Sequence, residues 1–111
     1  MLPMANPLLQ RIPTVAGCAY IERIRRLPSN VTVTLQPEKE NRYFLNAIAV
    51  MANNEKVGYV APEIARRYYA PLLEHASVVT CPARRGTAID HETSGVELLL
   101  DFSTLPVQPV S

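Results

Sequence analysis

The sequence is poor in the residues that mark several large classes of protein. It has no tryptophan, four glycines, two cysteines and two histidines among 111 residues. No run approaches the roughly 20 apolar residues that a membrane-spanning helix needs, so we expect no membrane span. Residues 1–13 contain three prolines and no basic region followed by an apolar stretch, which argues against a secretory signal. We therefore expect an intracellular protein, nuclear if the organism is eukaryotic.

The motifs of common catalytic sites are also missing. The sequence has no glycine-rich phosphate loop, no zinc-ligand spacing and no nucleophile elbow. His91 lies between Asp90 and Glu92, but one histidine among solvated carboxylates is typical of an inert surface loop. His75 falls at a predicted helix end, where the helix dipole favours its charge. We expect no catalysis and no bound cofactor or metal.

The cysteines are too few for a disulfide framework. Cys18 and Cys81 could pair in principle, but two lone cysteines in an intracellular domain are more often reduced core residues. The apolar fraction of 48% excludes disorder across the whole chain. The length suits one domain, with no room for a second.

The charges give a mixed signal about nucleic acid. The net charge is only +1, whereas proteins that bind phosphates usually show a basic excess or patch. Nine of the eleven basic residues are arginine, however, and most fall at residues 23–26, 66–67 and 84–85. Arginine matches phosphate geometry and stacks on bases better than lysine does. Each cluster is either a solvated face or part of one groove, and the sequence leaves both interpretations open.

The hydrophobic pattern predicts a mainly β protein with a short helical insertion. Strands are predicted over residues 16–24, 31–35, 46–51, 56–60, 76–81 and 95–102, which suits a small six-stranded β-barrel. Residues 82–94 are predicted to form a polar loop. The barrel domain is predicted over residues 16–102, between a flexible arm at residues 1–15 and a flexible tail at residues 103–111.

The helical insertion is predicted to start near Pro62. Ile64, Tyr68 and Leu72 recur every four residues and give one apolar face, so Tyr68 and its neighbour Tyr69 are expected to pack rather than bind a ligand. Pro71 lacks an amide and clashes with the preceding turn. We therefore expect a break near residue 70 and a second short turn over residues 71–75.

The loop ahead of the 46–60 hairpin is the most unusual stretch. Residues 37–45 are too polar for a strand, yet they include Asn41, Arg42, Tyr43 and Phe44. Two adjacent aromatic residues in a polar loop suggest a binding surface.

Spaced motifs from residue 35 to residue 65 connect this loop to a known family. They are Leu35-Gln36, Asn41-x-Tyr43, Asn46-Ala47-Ile48-x-Val50, Val57-Gly58-Tyr59-Val60 and Pro62-Glu63-x-Ala65. The pattern resembles the HIRAN domain, the small module at the front of helicase-like transcription factor and related fork-remodelling ATPases. The resemblance runs from about residue 17 to residue 102. It implies an OB-like barrel that grips the 3′-hydroxyl end of single-stranded DNA.

The resemblance also implies roles for individual residues. Tyr20 and Tyr43 match the two tyrosines that hold the terminal nucleotides, and Asn41 matches an asparagine that could bind the last one. Asn46 and Gly58 match as well, and we interpret them as structural: a side chain that braces the loop and a close approach of backbones.

Four positions depart from the family pattern. Phe44 stands where the family has the aspartate that accepts from the 3′-hydroxyl, and a phenyl ring cannot accept that bond. Ala19 replaces an arginine, while Tyr59 and Pro62 replace a histidine and a lysine that approach phosphates. Other arginines could restore phosphate contacts from other directions, namely Arg42, Arg66 or Arg84.

Two hypotheses follow from these observations. The first is a module that binds single-stranded DNA, including its 3′ end, through a site formed by Tyr20, Asn41, Arg42, Tyr43, Phe44, Tyr59 and Arg66. The second is a protein-interaction module on the same barrel, in which Tyr43, Phe44 and Tyr59 form an apolar patch that replaced the nucleotide pocket. Phe44 is the feature that separates the two.

Overall fold

Six antiparallel strands close into a barrel in the computed structural model, which describes residues 7–86 and 97–110. The strands are β1 (Ile12–Val15), β2 (Asn30–Pro37), β3 (Ile48–Ala52), β4 (Glu55–Val60), β5 (Val79–Gly86) and β6 (Glu97–Leu100). Their order around the barrel is β1-β4-β3-β2-β5-β6. Pairing of β1 with β6 closes the barrel, and the Thr14 hydroxyl adds a 3.1 Å bond to the Leu98 carbonyl across this seam. The predicted six-stranded barrel is confirmed.

The alternation in β2 and the β3–β4 hairpin follow the sequence closely. Val33 and Leu35 are buried and Thr32 is exposed, as expected for a strand with one face in the core. Asn53 and Asn54 form the hairpin turn with φ of 52° and 65°. Asparagine tolerates this left-handed conformation, which two-residue hairpin turns require.

An irregularity in the pairing of β3 with β4 changes which side chains face outward. Val50 pairs with Gly58 but Met51 pairs with Lys56, so Val57 is an extra residue in β4. Val57 and Gly58 are both buried, and Lys56 and Tyr59 therefore both lie on the outer face. A regular strand would place residues three apart on opposite faces, and a bulge removes this restriction.

The prediction of a strand over residues 16–24 is wrong. This segment forms a short 3₁₀ helix (Gly17–Tyr20) followed by helix α1 (Ile21–Arg25). Ile24 and Leu27 are buried and Ile21 packs against the core, a spacing of three that suits a helix. The first strand is instead β1, which lies within the predicted flexible arm. The barrel therefore begins at Ile12, four residues before the predicted boundary.

Helix α2 (Pro62–Glu74) begins at Pro62 as predicted, but it does not break at Pro71. Proline removes the amide that would bond to the carbonyl four residues earlier, here that of Arg67. The amide of Val110 donates to this carbonyl instead, at 2.8 Å. The expected break near residue 70 is therefore wrong. The packing prediction holds for Tyr68, which is buried edge-on against Phe102 with ring centroids 5.0 Å apart.

Strand β5 continues through Pro82 to Gly86, so the loop predicted from residue 82 begins too early. Pro82 is exposed, and its carbonyl accepts from the amide of Asp101 at 2.9 Å. Its missing amide therefore leaves the β5–β6 pairing intact. The rest of that predicted loop, including His91, lies outside the described residues.

The barrel core is apolar, and segment 103–110 lies against it. In this segment Leu105 and Val107 pack on the core. Its predicted flexibility stays a prediction. Cys81 is buried and free, as expected for a core residue. Within residues 7–86 and 97–110, no helix has the length and apolar character to cross a bilayer.

Candidate functional site

The loop between β2 and β3, residues 38–47, is held by the side chain of Asn41. Its Oδ1 accepts hydrogen bonds from the backbone amides of Tyr43 and Phe44, both at 2.8 Å. Its Nδ2 donates to Glu38 Oε1 at 3.0 Å. Asparagine forms such local bonds readily, and here they fix the backbone that carries both aromatic residues. Near the end of the loop, Asn46 has a φ of 60°, a conformation that asparagine accepts.

The loop presents apolar side chains to solvent. Tyr43 is 89% exposed, Leu45 90% and Phe44 47%. The Phe44 ring lies beside that of Tyr59 on β4, with centroids 5.8 Å apart and planes at 46°. This tilted arrangement is favourable for aromatic pairs. Phe44 and Tyr59 thus form the inner part of an aromatic surface whose outer part is Tyr43.

Glu38, Lys56 and Tyr59 form a closed polar triad beneath this surface. Lys56 Nζ lies 2.6 Å from both Glu38 Oε2 and the Tyr59 hydroxyl, and that hydroxyl donates to Glu38 Oε1 at 2.9 Å. The bulge in β4 makes the triad possible because it places Lys56 and Tyr59 on one face. The triad fixes the orientation of the Tyr59 ring.

The triad also shifts the acidity of its members. Burial alone would raise the pKa of Glu38, but hydrogen bonds from Lys56, Asn41 and Tyr59 lower it below its ordinary value. The hydrogen bond to Glu38 raises the pKa of Lys56. Burial raises the pKa of the Tyr59 hydroxyl. Glu38 and Lys56 are therefore both charged near neutral pH, and Tyr59 is neutral.

Tyr20 is connected to the site by Arg23, which contacts both. The Arg23 guanidinium lies 5.3 Å from the centre of the Tyr20 ring, a cation–π distance. Arg23 also donates to the Lys56 carbonyl at 2.9 Å and pairs with Glu55 at 3.1 Å. Tyr20 is half-buried at the junction of the 3₁₀ helix and α1, not on a strand as predicted.

The two predicted site arginines are placed differently. Arg42 is exposed in the loop, beside Tyr43. Arg66 is exposed on α2, next to Ala65, which lines a small apolar cavity with Phe44 and Tyr59. This cavity has a volume of about 20 Å³, little more than one water molecule needs. This cavity is too small to enclose a base, whereas an open cleft of about 380 Å³ lies along the start of the loop, lined by residues 36–41.

The structure brings five of the seven predicted site residues together: Asn41, Arg42, Tyr43, Phe44 and Tyr59. Tyr20 is joined to them through Arg23 and Lys56, and no aromatic ring pair links it to Tyr43 within the described ranges. Arg66 is exposed on α2 and does not line the small cavity. Sequence analysis missed Glu38 and Lys56, which are 18 positions apart. Lys56 lies on the same face of β4 as Tyr59 only because of the bulge, and no feature of the sequence predicts this bulge.

Comparison with known proteins gives one match. A sequence model of the HIRAN domain matches residues 12–101, most of the chain. No curated protein and no solved structure matches the sequence.

Proposed function

The chain belongs to the HIRAN domain family, a family of DNA-binding modules, and we propose that it binds single-stranded DNA by stacking bases on the loop surface. The observation that carries this proposal is the 89% exposure of Tyr43 on a loop whose backbone donates two hydrogen bonds to Asn41. An exposed aromatic ring offers a face on which an unpaired base can stack, and in a DNA-binding family this favours a stacking platform.

The energetics of stacking suit the surface. Each base stacked on an aromatic ring contributes on the order of 1 to 3 kcal/mol, with little preference among bases. Tyr43 is free to take one base, and the Phe44–Tyr59 pair offers a second apolar face. Arg42 lies next to Tyr43 in the sequence and is an exposed cation that can contact a phosphate. We expect binding without sequence preference.

Recognition of a 3′-hydroxyl is a further part of the proposal. Phe44 provides no acceptor, so the carboxylate available beside the rings is Glu38. Its oxygens already accept from Lys56, Asn41 and Tyr59. A terminal hydroxyl would have to use the remaining acceptor capacity of Glu38, and we therefore expect only a modest preference for a free 3′ end.

The experiment is fluorescence anisotropy at low salt, with the chain titrated into labelled single strands that end in a 3′-hydroxyl or a 3′-phosphate. We expect both strands to bind, with a small preference for the hydroxyl. Tyr43→Ala is expected to weaken binding about 5- to 150-fold, which corresponds to one lost stacking contact. Val78→Ala is the matched control, because Val78 is also an exposed apolar residue, at 76% exposure, and it follows helix α2 instead of lying in the loop.

The possible outcomes distinguish recognition of the 3′ end, general binding of single strands and the absence of stacking on the loop. A strong preference for the hydroxyl would show that end recognition survives the change to Phe44. Equal binding would leave a general single-strand binder. Absence of binding to either strand, or equal losses in the Tyr43 and Val78 variants, would overturn stacking on the loop.

A protein-binding role is the second candidate, favoured by one observation. Tyr43, Phe44 and Leu45 are consecutive and all exposed, which is more apolar surface than stacking on Tyr43 requires. Such patches often bind other proteins. Under this hypothesis Phe44→Asp abolishes binding to a partner and leaves or improves binding to DNA, whereas under the DNA hypothesis Tyr43→Ala has the larger effect on DNA.

The cellular setting is a proposal that follows from the family. Single-strand ends arise at replication forks and during DNA repair, and we place the protein in such processes, in the nucleus of a eukaryotic cell. The domain itself has a binding role and does not carry catalysis.

A further inference from the structure

A second surface, at the other end of β2 from the loop, is rich in arginine. We call it the arginine face and define it by Arg11, Arg25, Arg84 and Arg85. Arg11 and Arg84 line the same open cavity of about 410 Å³, together with Asn30 at the start of β2. Arg85 donates to the backbone carbonyl of Arg25 at 2.8 Å, so the arginine pair of β5 contacts helix α1. Two of the three arginine clusters in the sequence therefore converge.

Two carboxylates lie near the arginine face, and only one of them is paired with a cation. Glu22 pairs with Arg25 at 3.2 Å. Asp101 also lines the cavity, and its Oδ1 accepts from the amide and the hydroxyl of Ser103 at 2.9 and 2.5 Å, both of which are neutral donors. In the described part of the chain, no ion pair involves Arg11 or Arg84. Both guanidinium groups are exposed and can reach an anion.

The loop surface, by contrast, has no excess of positive charge. Residues 38–47 contain two acidic and two basic residues, and Lys56 is paired with Glu38 at 2.6 Å. The loop can stack bases, yet it offers little attraction to phosphates. Strong binding to a polyanion needs cations somewhere else on the barrel.

We propose that the arginine face is a second DNA contact, which binds backbone phosphates of the same strand whose end region stacks on the loop. This inference rests on the proposed function and extends it. Arg84 is thus not a replacement for a lost phosphate contact at the loop but a separate contact. Arginine forks bind phosphate oxygens with good geometry and without reading sequence.

The spacing of the two surfaces fixes the length of strand required. Strand β2 runs from Asn30, in the arginine cavity, to Pro37, where the loop begins. Seven steps of about 3.3 Å place them roughly 23 Å apart. At 3.4 Å per nucleotide of a stacked strand this is about seven nucleotides, and fewer if the strand is extended.

The outer face between the two surfaces offers no repulsion to DNA. Neither β2 nor β5 contains an acidic residue. Their outward side chains on this path are uncharged: Thr32, Thr34, Gln36, Thr80 and Pro82. A strand of DNA that follows β2 and β5 therefore meets no carboxylate of these strands, and the acidic residues lie at the two ends of the path: Asp101 in the cavity and Glu38 and Glu40 in the loop.

The test is a length series of oligothymidylates with 4, 6, 8, 10 and 12 nucleotides, measured by anisotropy with the whole 111-residue chain. We expect a step of about tenfold in affinity between 4 and 10 nucleotides. Arg11→Ala with Arg84→Ala removes the step and leaves binding of the 4-mer unchanged. The salt dependence of 10-mer binding should fall by about 0.7 in slope for each lost phosphate. Arg67→Ala is the control for Arg84→Ala alone, because each removes one positive charge and Arg67 lies on α2, away from the cavity.

The outcomes distinguish this inference from the proposed function. Binding of the 4-mer that depends on Tyr43, with no step at greater length, overturns the arginine contact and leaves the proposed function standing. Loss of the step in the Arg67 variant as well overturns it too, since the effect is then one of net charge. Binding of the 12-mer that requires Arg84 but not Tyr43 supports the arginine contact and overturns stacking on the loop.

Discussion

The side-chain oxygen of Asn41 accepts a 2.8 Å hydrogen bond from the backbone amide of Tyr43, and this bond sets the position of the most exposed ring in the site. Asn41→Ala removes the acceptor for this amide and for that of Phe44. We expect faster hydrogen exchange at both amides, a loss of about 0.5 to 1.5 kcal/mol in the free energy of unfolding, and weaker binding to single-stranded DNA. Exchange followed by NMR measures the first effect directly.

Asn41→Asp is the informative companion variant. It keeps an acceptor for the two amides but places a second carboxylate where Asn41 Nδ2 now donates to Glu38 at 3.0 Å. Slow exchange at the two amides should therefore survive, while stability falls through repulsion. Equal exchange rates in the alanine variant and the unmodified protein would show that Asn41 does not hold the loop.

The Glu38–Lys56 pair makes stability depend on pH on the acid side. The pKa of Glu38 is lowered in the folded state from its ordinary value of 4.5, so the pair stabilises the fold above that value. The stabilisation is lost as the pH falls through the folded pKa. Glu38→Gln is expected to lower the free energy of unfolding by on the order of 1 kcal/mol at pH 7.

Urea unfolding at pH 7, 5 and 3 measures this effect. The difference between the unmodified protein and Glu38→Gln should shrink as the pH falls below 4.5, because the carboxylate itself becomes protonated. A difference that stays constant over this range would mean that the charge of Glu38 contributes nothing. Glu40→Gln is the control, because Glu40 is exposed in the same loop.

Gly58 cannot be replaced without strain. Its φ is 155°, and a Cβ at this position would lie 3.1 Å from the backbone oxygen of Val15. Because that neighbour is backbone in β1, it cannot rotate away, and Gly58→Ala should cost on the order of 1 to 3 kcal/mol. Thermal unfolding measures the loss. Thr80→Ala, at an exposed position of β5, is the control and should change the midpoint little.

Cys81 should be unreactive in the folded protein. Burial raises the pKa of its thiol to about 12, and the thiolate is the form that alkylating reagents attack. In a Cys18→Ala background, iodoacetamide at pH 8 should modify Cys81 slowly in buffer and rapidly in urea. Rapid modification in buffer would show that the barrel opens often near β5.

The fold could be predicted where the signal is local. Alternation in β2 and the Asn-rich turn before β4 depend on neighbouring residues, and both are confirmed. The prediction of a strand over residues 16–24 is wrong because its isoleucines are ambiguous. Their spacing of three suits a helix, while β-branched residues also favour strands. The surrounding barrel decided between them.

The remaining errors come from contacts between distant residues. Helix α2 continues through Pro71 because the amide of Val110, 43 positions after Arg67, donates to the Arg67 carbonyl in place of the missing proline amide. Pro82 stays in β5 because its carbonyl, not its amide, takes part in the pairing with Asp101. At the site, sequence analysis named the exposed rings but not the Glu38–Lys56 pair beneath them, which depends on a bulge between two strands.

The closed seam between β1 and β6 has a consequence for how the chain folds. The Thr14–Leu98 bond joins residues 84 positions apart, whereas the β3–β4 hairpin joins near neighbours. Pairing strands over such a separation loses much chain entropy before the contacts between the strands compensate for it. We expect the hairpin to form early and the seam last, so an incomplete molecule exposes the edges of β1 and β6. During synthesis, β1 cannot pair with β6 until most of the chain has been made.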